Sequence, residues 1–454
     1  MAATAYPIPA GRGRWRLTLH SRVFVDQSSS QPTPMAELSS ARSRRLEQNW
    51  GQPAQLSFTI DGRAPEAALI RELQTDVIAW RWDDQPGATY YTPFGCDRPL
   101  FRGVITQTED EVTEQSHVTN VVCTDYLAMM GRRIFTTSPT LTQTDQDTLV
   151  SQFVNLSVNP QTSLGAGGIG PPVTFQPGGY LPIMPQIVNP DGTQRSALSG
   201  VLRDRNYVAG ADMLTSLDDL SKVIGGFDYD IIPTQLAGIL GLPPGGMPGW
   251  PAGPTSSRDR LRIFYPYQGV QRFDVPLVYG STISAFTRTV ASGDYANYWR
   301  VIGDAPPNSP DGTPPMFSEQ WNSDANNVTV NPVGLWMETD NAADVNIQAT
   351  LDQKAQGDLA WTGVLTGGIS PSSYTLTMRP GAYRWGAPNM GDICPVIIRT
   401  GRLNLSDNIR VLGIAYNIGD DGDEDVELTI SRPTRTLTQL VTQADRDADA
   451  LTRR

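Results

Sequence analysis

The alternation of apolar and polar positions breaks the chain into many short strands and a few helices. Trp15 to Val25 alternates and predicts a strand followed by a polar loop. Gln55 to Ile60 (QLSFTI) alternates and runs into an Asp61-Gly62 turn. Pro65 then suits a first helical turn, and Ala68, Leu69 and Leu73 share one face, so a short helix is predicted there. Thr75 to Trp82 (TDVIAWRW) is β-branched and aromatic and predicts a strand. Leu100 to Gln107 and His117 to Cys123 predict a hairpin across an acidic turn.

Helical signals are fewer. Over 145–154, Thr144 and Asp147 predict a capping pair, and Leu149, Val150, Phe153 and Val154 form an apolar face. Over 213–224, Asp212 is placed to cap, Leu214, Leu217 and Val223 form a stripe, and Gly225-Gly226 ends the helix. Over 343–359, Ile347, Leu351, Ala355 and Leu359 recur every four residues. A short helix is predicted at 125–132, before Arg132-Arg133. A parallel α/β sheet needs a helix between most strands, so the expected class is mainly β with a few helices and α/β insertions.

Composition adds punctuation. The 454 residues include 42 Gly and 36 Pro. Two stretches are too rich in them to be regular: 164–179 (LGAGGIGPPVTFQPGG) and 241–254 (GLPPGGMPGWPAGP). Residues 305–315 (APPNSPDGTPP) form a third such loop. With these as dividers, four parts are expected: a β-barrel at 1–135, an α+β part at 136–265, a β part at 266–340, and a second β-barrel at 341–454.

Charge and rare residues exclude several classes. The net charge is -12, from 35 Lys+Arg and 47 Asp+Glu, which argues against a duplex-binding protein that needs a basic footprint. Residues 1–60 hold seven Arg and three acids, while 301–454 hold 20 acids and 11 bases. A basic front and an acidic back suit a contact between copies or two solvated surfaces. No apolar run approaches the length of a membrane helix, and the start lacks a secretory layout. Cys96, Cys123 and Cys394 have no CxxC spacing, and His20 and His117 are far apart, so neither a disulfide framework nor a zinc site is expected.

An internal echo appears at an offset of 310 residues. Leu100 to Asn120 then lies over Arg410 to Ile430, with Gly103 on Gly413, Asp110 on Asp420, Glu114 on Glu424 and Thr119 on Thr429. Identities are few, and unrelated hairpins share this layout. The expectation is a duplicated β module, one copy near each end.

No residue set carries a catalytic or ligand-binding motif, so no catalytic, cofactor or metal residues are expected. His20 and His117 lie in strand-like contexts away from any triad pattern. Cys394 reads as a small buried residue. The acidic run Asp420, Asp421, Asp423, Glu424, Asp425 has oxygens for Ca²⁺ but lacks the loop spacing, and a solvated turn is the simpler reading. Arg132-Arg133 and the alternating Arg258, Arg260 and Arg262 suit nucleic acid, a subunit contact or a solvated edge. Trp80 and Trp82 share a strand face and read as core or interface.

The order of these elements resembles the tail hub proteins of long-tailed bacteriophages, also called baseplate hub, tail-associated or minor tail proteins. The segments that carry the resemblance are 58–82 with 100–104, 121–133, 145–155, 206–230, 261–266, 279–303 and 383–433. The resemblance implies four subdomains, two of them β-barrels similar to tail-tube subunits. It implies a homotrimer whose six barrels adapt a sixfold tube to a threefold tip. The implied partners are a distal tail protein or tube hexamer, a tape-measure protein and receptor-binding proteins. Genomic DNA would pass without specific binding, and the implied location is the virion tail tip after assembly in the host cytoplasm. No enzymatic activity and no cofactor are implied, and no wall-degrading extension is expected after Pro433. Part of the acidic excess is expected to face the channel. A carbohydrate- or receptor-binding β-protein, with Tyr180, Trp250 and Trp321 beside Gly and Pro, is the competing reading. A hydrolase with an unrecognised carboxylate pair is the third.

Overall fold

The computed structural model describes residues 14–21, 33–82, 98–135, 138–158, 181–223, 225–233, 259–290, 296–306, 310, 312–322, 334–342, 345, 347–362, 372–383, 387–420 and 424–431. The protein is mainly β with four helices among these residues. The loops at 164–179 and 241–254 lie outside the described residues.

The first module contains β1 (Arg14–Ser21), β2 (Thr33–Glu37), β3 (Arg42–Asn49), β4 (Gln55–Asp61), β5 (Thr75–Trp82), β6 (Arg98–Val112) and β7 (His117–Asp125). They pair antiparallel in the order β2-β1-β5-β6-β7-β4-β3. The helix expected after Pro65 shrinks to a 3-10 turn over Ala67–Leu69. Ile70 is already extended and Leu73 sits exposed at φ 58°, so the apolar face that would have held a helix never forms.

An inserted α+β unit follows: α1 (Tyr126–Met130), β8 (Thr140–Asp145), α2 (Gln146–Val158), β9 (Ile183–Val188), β10 (Leu202–Asn206), α3 (Met213–Lys222), β11 (Asp228–Ile232) and β12 (Asp259–Phe264). Asp125 caps α1 by accepting from Leu127 N, and Asp212 caps α3 by accepting from Thr215 N. At α2 the cap differs from the expected one. Asp145 accepts from Asp147 N at 2.9 Å, while the Thr144 hydroxyl donates to Thr142 O. The apolar faces of the three helices meet over Phe135, Phe153 and Leu217 in a core of their own.

The rest comprises β13 (Leu277–Val278), β14 (Ile283–Val290), β15 (Tyr298–Ile302), β16 (Phe317–Trp321), β17 (Met337–Asn341), α4 (Gln348–Thr362), β18 (Ser372–Met378), β19 (Ile393–Thr400), β20 (Leu403–Ile418) and β21 (Glu424–Ser431). Helix α4 starts later than its apolar repeat, because Ile347 is exposed while Leu351 and Ala355 are buried against Val301. Packing groups α4 with β15–β17, and strand pairing puts β13 and β14 with β18–β21. The divisions expected at 266 and 341 move accordingly, since β14 pairs along its length with β18 across the inserted sheet.

The second module repeats the first. Its order β14-β18-β21-β20-β19 matches β3-β4-β7-β6-β5 strand for strand, and every one of these pairs is antiparallel. One irregularity coincides as well. The ladder of β6 with β7 slips between Ile105 and Gln107, and that of β20 with β21 slips between Val411 and Gly413, 306 residues later. The connecting turns, 113–116 and 419–423, differ by one residue, so His117 at the start of β7 corresponds to Glu424 at the start of β21. The echo is therefore a duplicated module, but its register is 306, not 310: Gly413 corresponds to Gln107 rather than to Gly103.

The modules merge into one sheet through β20. The edge of β20 away from β21 pairs with β19 over 403–410 and with β3 over 413–418. The bulge at 411–413 lies where the strand changes partner, and a bulge bends a strand there. At Gly413 strand β3 approaches closely: a Cβ there would lie 2.3 Å from Asn49 Oδ1 and 3.3 Å from Gln48 O, so Asn49 would have to turn aside. One continuous core, including Leu46, Leu56, Phe58, Val121, Tyr416 and Leu428, backs both modules.

Candidate functional site

The feature that the fold builds is a broad polar face on the eight strands β14-β18-β21-β20-β3-β4-β7-β6. Alternation along each strand sends one set of side chains into the shared core and the other outward. Cross-strand partners define the outward set. Gln107, Val122, Ser57, Arg45, Asn417 and Asp425 lie in one row. Ala285, Thr377, Glu427, Ala415, Glu47, Gln55 and Thr124 lie in another. Glu109, Asn120, Thr59 and Arg42, then Glu111, Val118 and Asp61, complete the first module's share.

These rows carry six carboxylates (Glu47, Asp61, Glu109, Glu111, Asp425 and Glu427) and two guanidinium groups, Arg42 and Arg45; farther along β6 and β20, Arg102 and Arg410 project from the same side into the inserted unit. The rest is mostly Thr, Ser, Asn and Gln. Arg45 is already engaged: it donates to Asn417 Oδ1 at 2.5 Å and to Glu427 Oε2 at 3.1 Å, and lies 3.5 Å from Glu47 Oε2. Asn49 donates to Glu47 at 2.9 Å, and Asn120 to Glu111 at 3.2 Å. A surface of this kind is wettable and weakly anionic. It repels phosphates and offers them little counterion-releasing contact.

Buried ion pairs brace the sheet, one from its core side and two from the opposite side, where the inserted unit packs. Arg81 on β5 makes a bidentate contact with Glu424 on β21, and Trp15 Nε1 donates to the same carboxylate at 2.6 Å. Arg102 on β6 reaches Asp76 and, at the start of β12, Asp259. Burial opposes its charge, but Tyr126, Asp259 and Asp76 outweigh that and raise its pKa. Arg410 on β20 pairs with Asp228 at the start of β11 and donates to Gln268 O at 2.8 Å. The inserted unit is thus fastened to β6 of one module and β20 of the other.

The residues singled out by sequence are dispersed. His20 is buried and lies 2.9 Å from Thr18 Oγ1, and His117 lies at the hairpin tip 3.3 Å from Asp110. Cys123 and Cys394 are buried free thiols. In the acidic run, Glu424 points into the core and Asp425 outward, so these two do not converge on an ion. Residues 421–423 lie outside the described residues. Arg262 is held by Asp230, and Arg260 lies 3.4 Å from Gln186 Oε1. Arg132 is exposed, and Trp80 is buried with its indole N–H on Thr18. Among the described residues no group of His, Cys, Asp and Glu could hold a metal ion, and no helix is long and apolar enough to cross a membrane. The sequence reading missed the Arg81–Glu424 pair; the isolated Arg in an apolar strand was its one signal.

The chain thus presents a sheet with a repeated strand order and one polar face. Solved structures similar to this chain include the tail protein from Neisseria meningitidis MC58, at 10% identity and TM-score 0.50, covering 92% of this chain and 97% of that one. A second is the 43 kDa tail protein of prophage MuSo2 from Shewanella oneidensis, at 10% identity and TM-score 0.51, covering 92% and 99%. The chain has the fold of these phage tail proteins. No protein-family model matches it, and no curated protein matches it by sequence.

Proposed function

We propose that the chain is a structural tail protein: a non-enzymatic hub at the tip of a phage tail, built as a ring of three copies around the path of the DNA. The observation that carries this reading is the duplication, with matching strand order and one bulge at the matching position in both halves. Three chains with two modules each offer six similar positions to a sixfold tube, which is what an adaptor to a threefold tip needs. The polar face becomes the lining of the bore. Eight strands per copy at about 4.8 Å spacing give three copies a perimeter of roughly 115 Å, hence a backbone diameter of roughly 37 Å or more. That admits a duplex, and the carboxylates keep it from sticking. The partners are then the tube or distal tail protein above, a tape-measure segment within, and receptor-binding proteins below, in the virion after assembly in the host cytoplasm.

Cryo-electron microscopy of the tail, or of the ring assembled from the purified chain, tests the reading. Three copies per ring with Glu109 and Glu427 facing the bore is the expected result. A single copy, or a strongly basic bore, ends it.

One observation favours a second reading. In the sheet β16-β15-β17, Trp321 is 54% exposed and stacks on Tyr298 at 6.4 Å and 13°. An exposed stacked pair is a platform for a sugar ring, as in a receptor-binding tail protein. Binding on a glycan array that is lost in Trp321→Ala would promote it. Tyr180 and Trp250 lie outside the described residues.

A further inference from the structure

We infer that the outer edge of β14 is the docking site for a second copy of this chain, pairing antiparallel with the 107–112 stretch of β6 in that copy. The inference names the contact behind the multi-copy reading above and rests on it.

Inside one chain, β3 of the first module pairs with 413–418 of β20 in the second. The counterpart of β3 is β14, and the counterpart of 413–418 is 107–112 on β6. Among the described residues no strand pairs with the edge of β14 away from β18, nor with the edge of 107–112 away from β7. Strand β5 leaves that edge of β6 at Asp76 opposite Val104; beyond it Leu73 N donates to Ile105 O and the Thr108 hydroxyl donates to Glu72, with no strand paired there among the described residues. So each copy has one module junction already made and the two halves of the same junction left over. They lie at opposite ends of the eight-strand path. Such a contact is heterologous, and repeating it gives a ring or a filament.

The register follows from the made junction, where Arg44 faces Ile418, Leu46 faces Tyr416 and Gln48 faces Ile414. Aligning β14 with β3 through their ladders to β18 and β4 puts Phe286 at the position of Arg44 and Arg288 at that of Leu46. The copied register then sets Phe286 opposite Val112 and Arg288 opposite Asp110. Thr287 faces Glu111. Val112 is 69% exposed in the single chain and gains an aromatic neighbour. The Arg–Asp pair is of opposite sign, directly across the strands, where like charges would be repulsive. Nothing in the alignment used these side chains, so their complementarity is an independent check on the register. Unpaired edges of this length otherwise template aggregation.

The test is a disulfide cross-link in the full chain. Thr287→Cys with Glu111→Cys should give a covalent ladder under mild oxidation, ending in a closed ring. Thr287→Cys with Gln107→Cys, four residues out of register, should give none. In parallel, Asp110→Arg alone and Arg288→Asp alone should each weaken association by at least tenfold, and the double reversal should restore it. Thermal unfolding of the single variants checks that the monomer is intact. Oligomers without the 287–111 cross-link, or no rescue in the double variant, overturn the pairing while the multi-copy reading stands. A chain that stays monomeric at every concentration and forms no cross-link overturns both.

Discussion

Arg81 and Glu424 form an ion pair across the core between β5 and β21, strands that belong to different modules and lie 343 residues apart in sequence. Both side chains are fully buried, and Trp15 supplies a further donor from β1. Removing one partner leaves an uncompensated buried charge. Arg81→Met is therefore expected to cost about 3–5 kcal/mol. Arg81→Met combined with Glu424→Gln should cost less than the two single changes added together, as read from urea unfolding midpoints.

Asp125 gives the stability a pH dependence. Burial raises its carboxyl from the ordinary 3.8 to about 7, partly offset by N–H groups of Ala54 and Leu127 that favour the anion. Between about pH 4 and 7 the folded chain holds a proton that the unfolded chain releases. The contribution of this group is full below pH 4 and declines as pH rises to 7, by at most about 4 kcal/mol. Asp125→Asn should flatten that slope in a series of denaturation curves across this range.

Two glycines should respond with opposite signs. A Cβ at Gly103 would lie 2.4 Å from the Thr124 carbonyl oxygen, a backbone atom with no room to yield. Gly103→Ala should destabilise by about 1–3 kcal/mol. Gly357 lies inside α4 with nothing within 4 Å of its would-be Cβ, so Gly357→Ala should stabilise by about 0.5–1 kcal/mol through the unfolded chain's lost freedom. Paired thermal melts decide both.

Thiol accessibility reports on the shared core. Burial pushes the Cys394 thiol up to about 12 and the Cys123 thiol well above its usual value, and both side chains are enclosed. A maleimide at neutral pH should label at most one of the three cysteines in the native protein and all three in denaturant. Rapid native labelling of Cys123 would contradict the core described above.

The strands read over 15–25, 55–60, 75–82, 100–107 and 117–123, and the four helices read at 125–132, 145–154, 213–224 and 343–359, were legible because alternation and helical spacing are local signals. QLSFTI and TDVIAWRW fold as their patterns predict, and the helix capped by Asp212 forms, though it ends at Lys222 with Val223 extended and buries Met213, Leu217 and Leu220. What was not legible depended on distant partners. The echo matched Gly103 to Gly413 as letters, yet the two serve different contacts: one clears Thr124 and Phe101, the other clears Asn49. Bulge positions, which set the true register, leave no mark in composition. The polar face was not legible, because its continuity requires the β3–β20 pairing, and only that pairing turns scattered acids into one surface.

Strand β3 finds its second neighbour, β20, only across hundreds of residues, with Asn49 opposite Gly413. On the ribosome, the amino-terminal sheet therefore stays incomplete until nearly all of those later residues have emerged. Such a distant closure folds slowly. Nascent chains on one messenger would present unsealed β3 edges to each other, so a chaperone or slow initiation that spaces the ribosomes would raise the yield of assembly-ready protein.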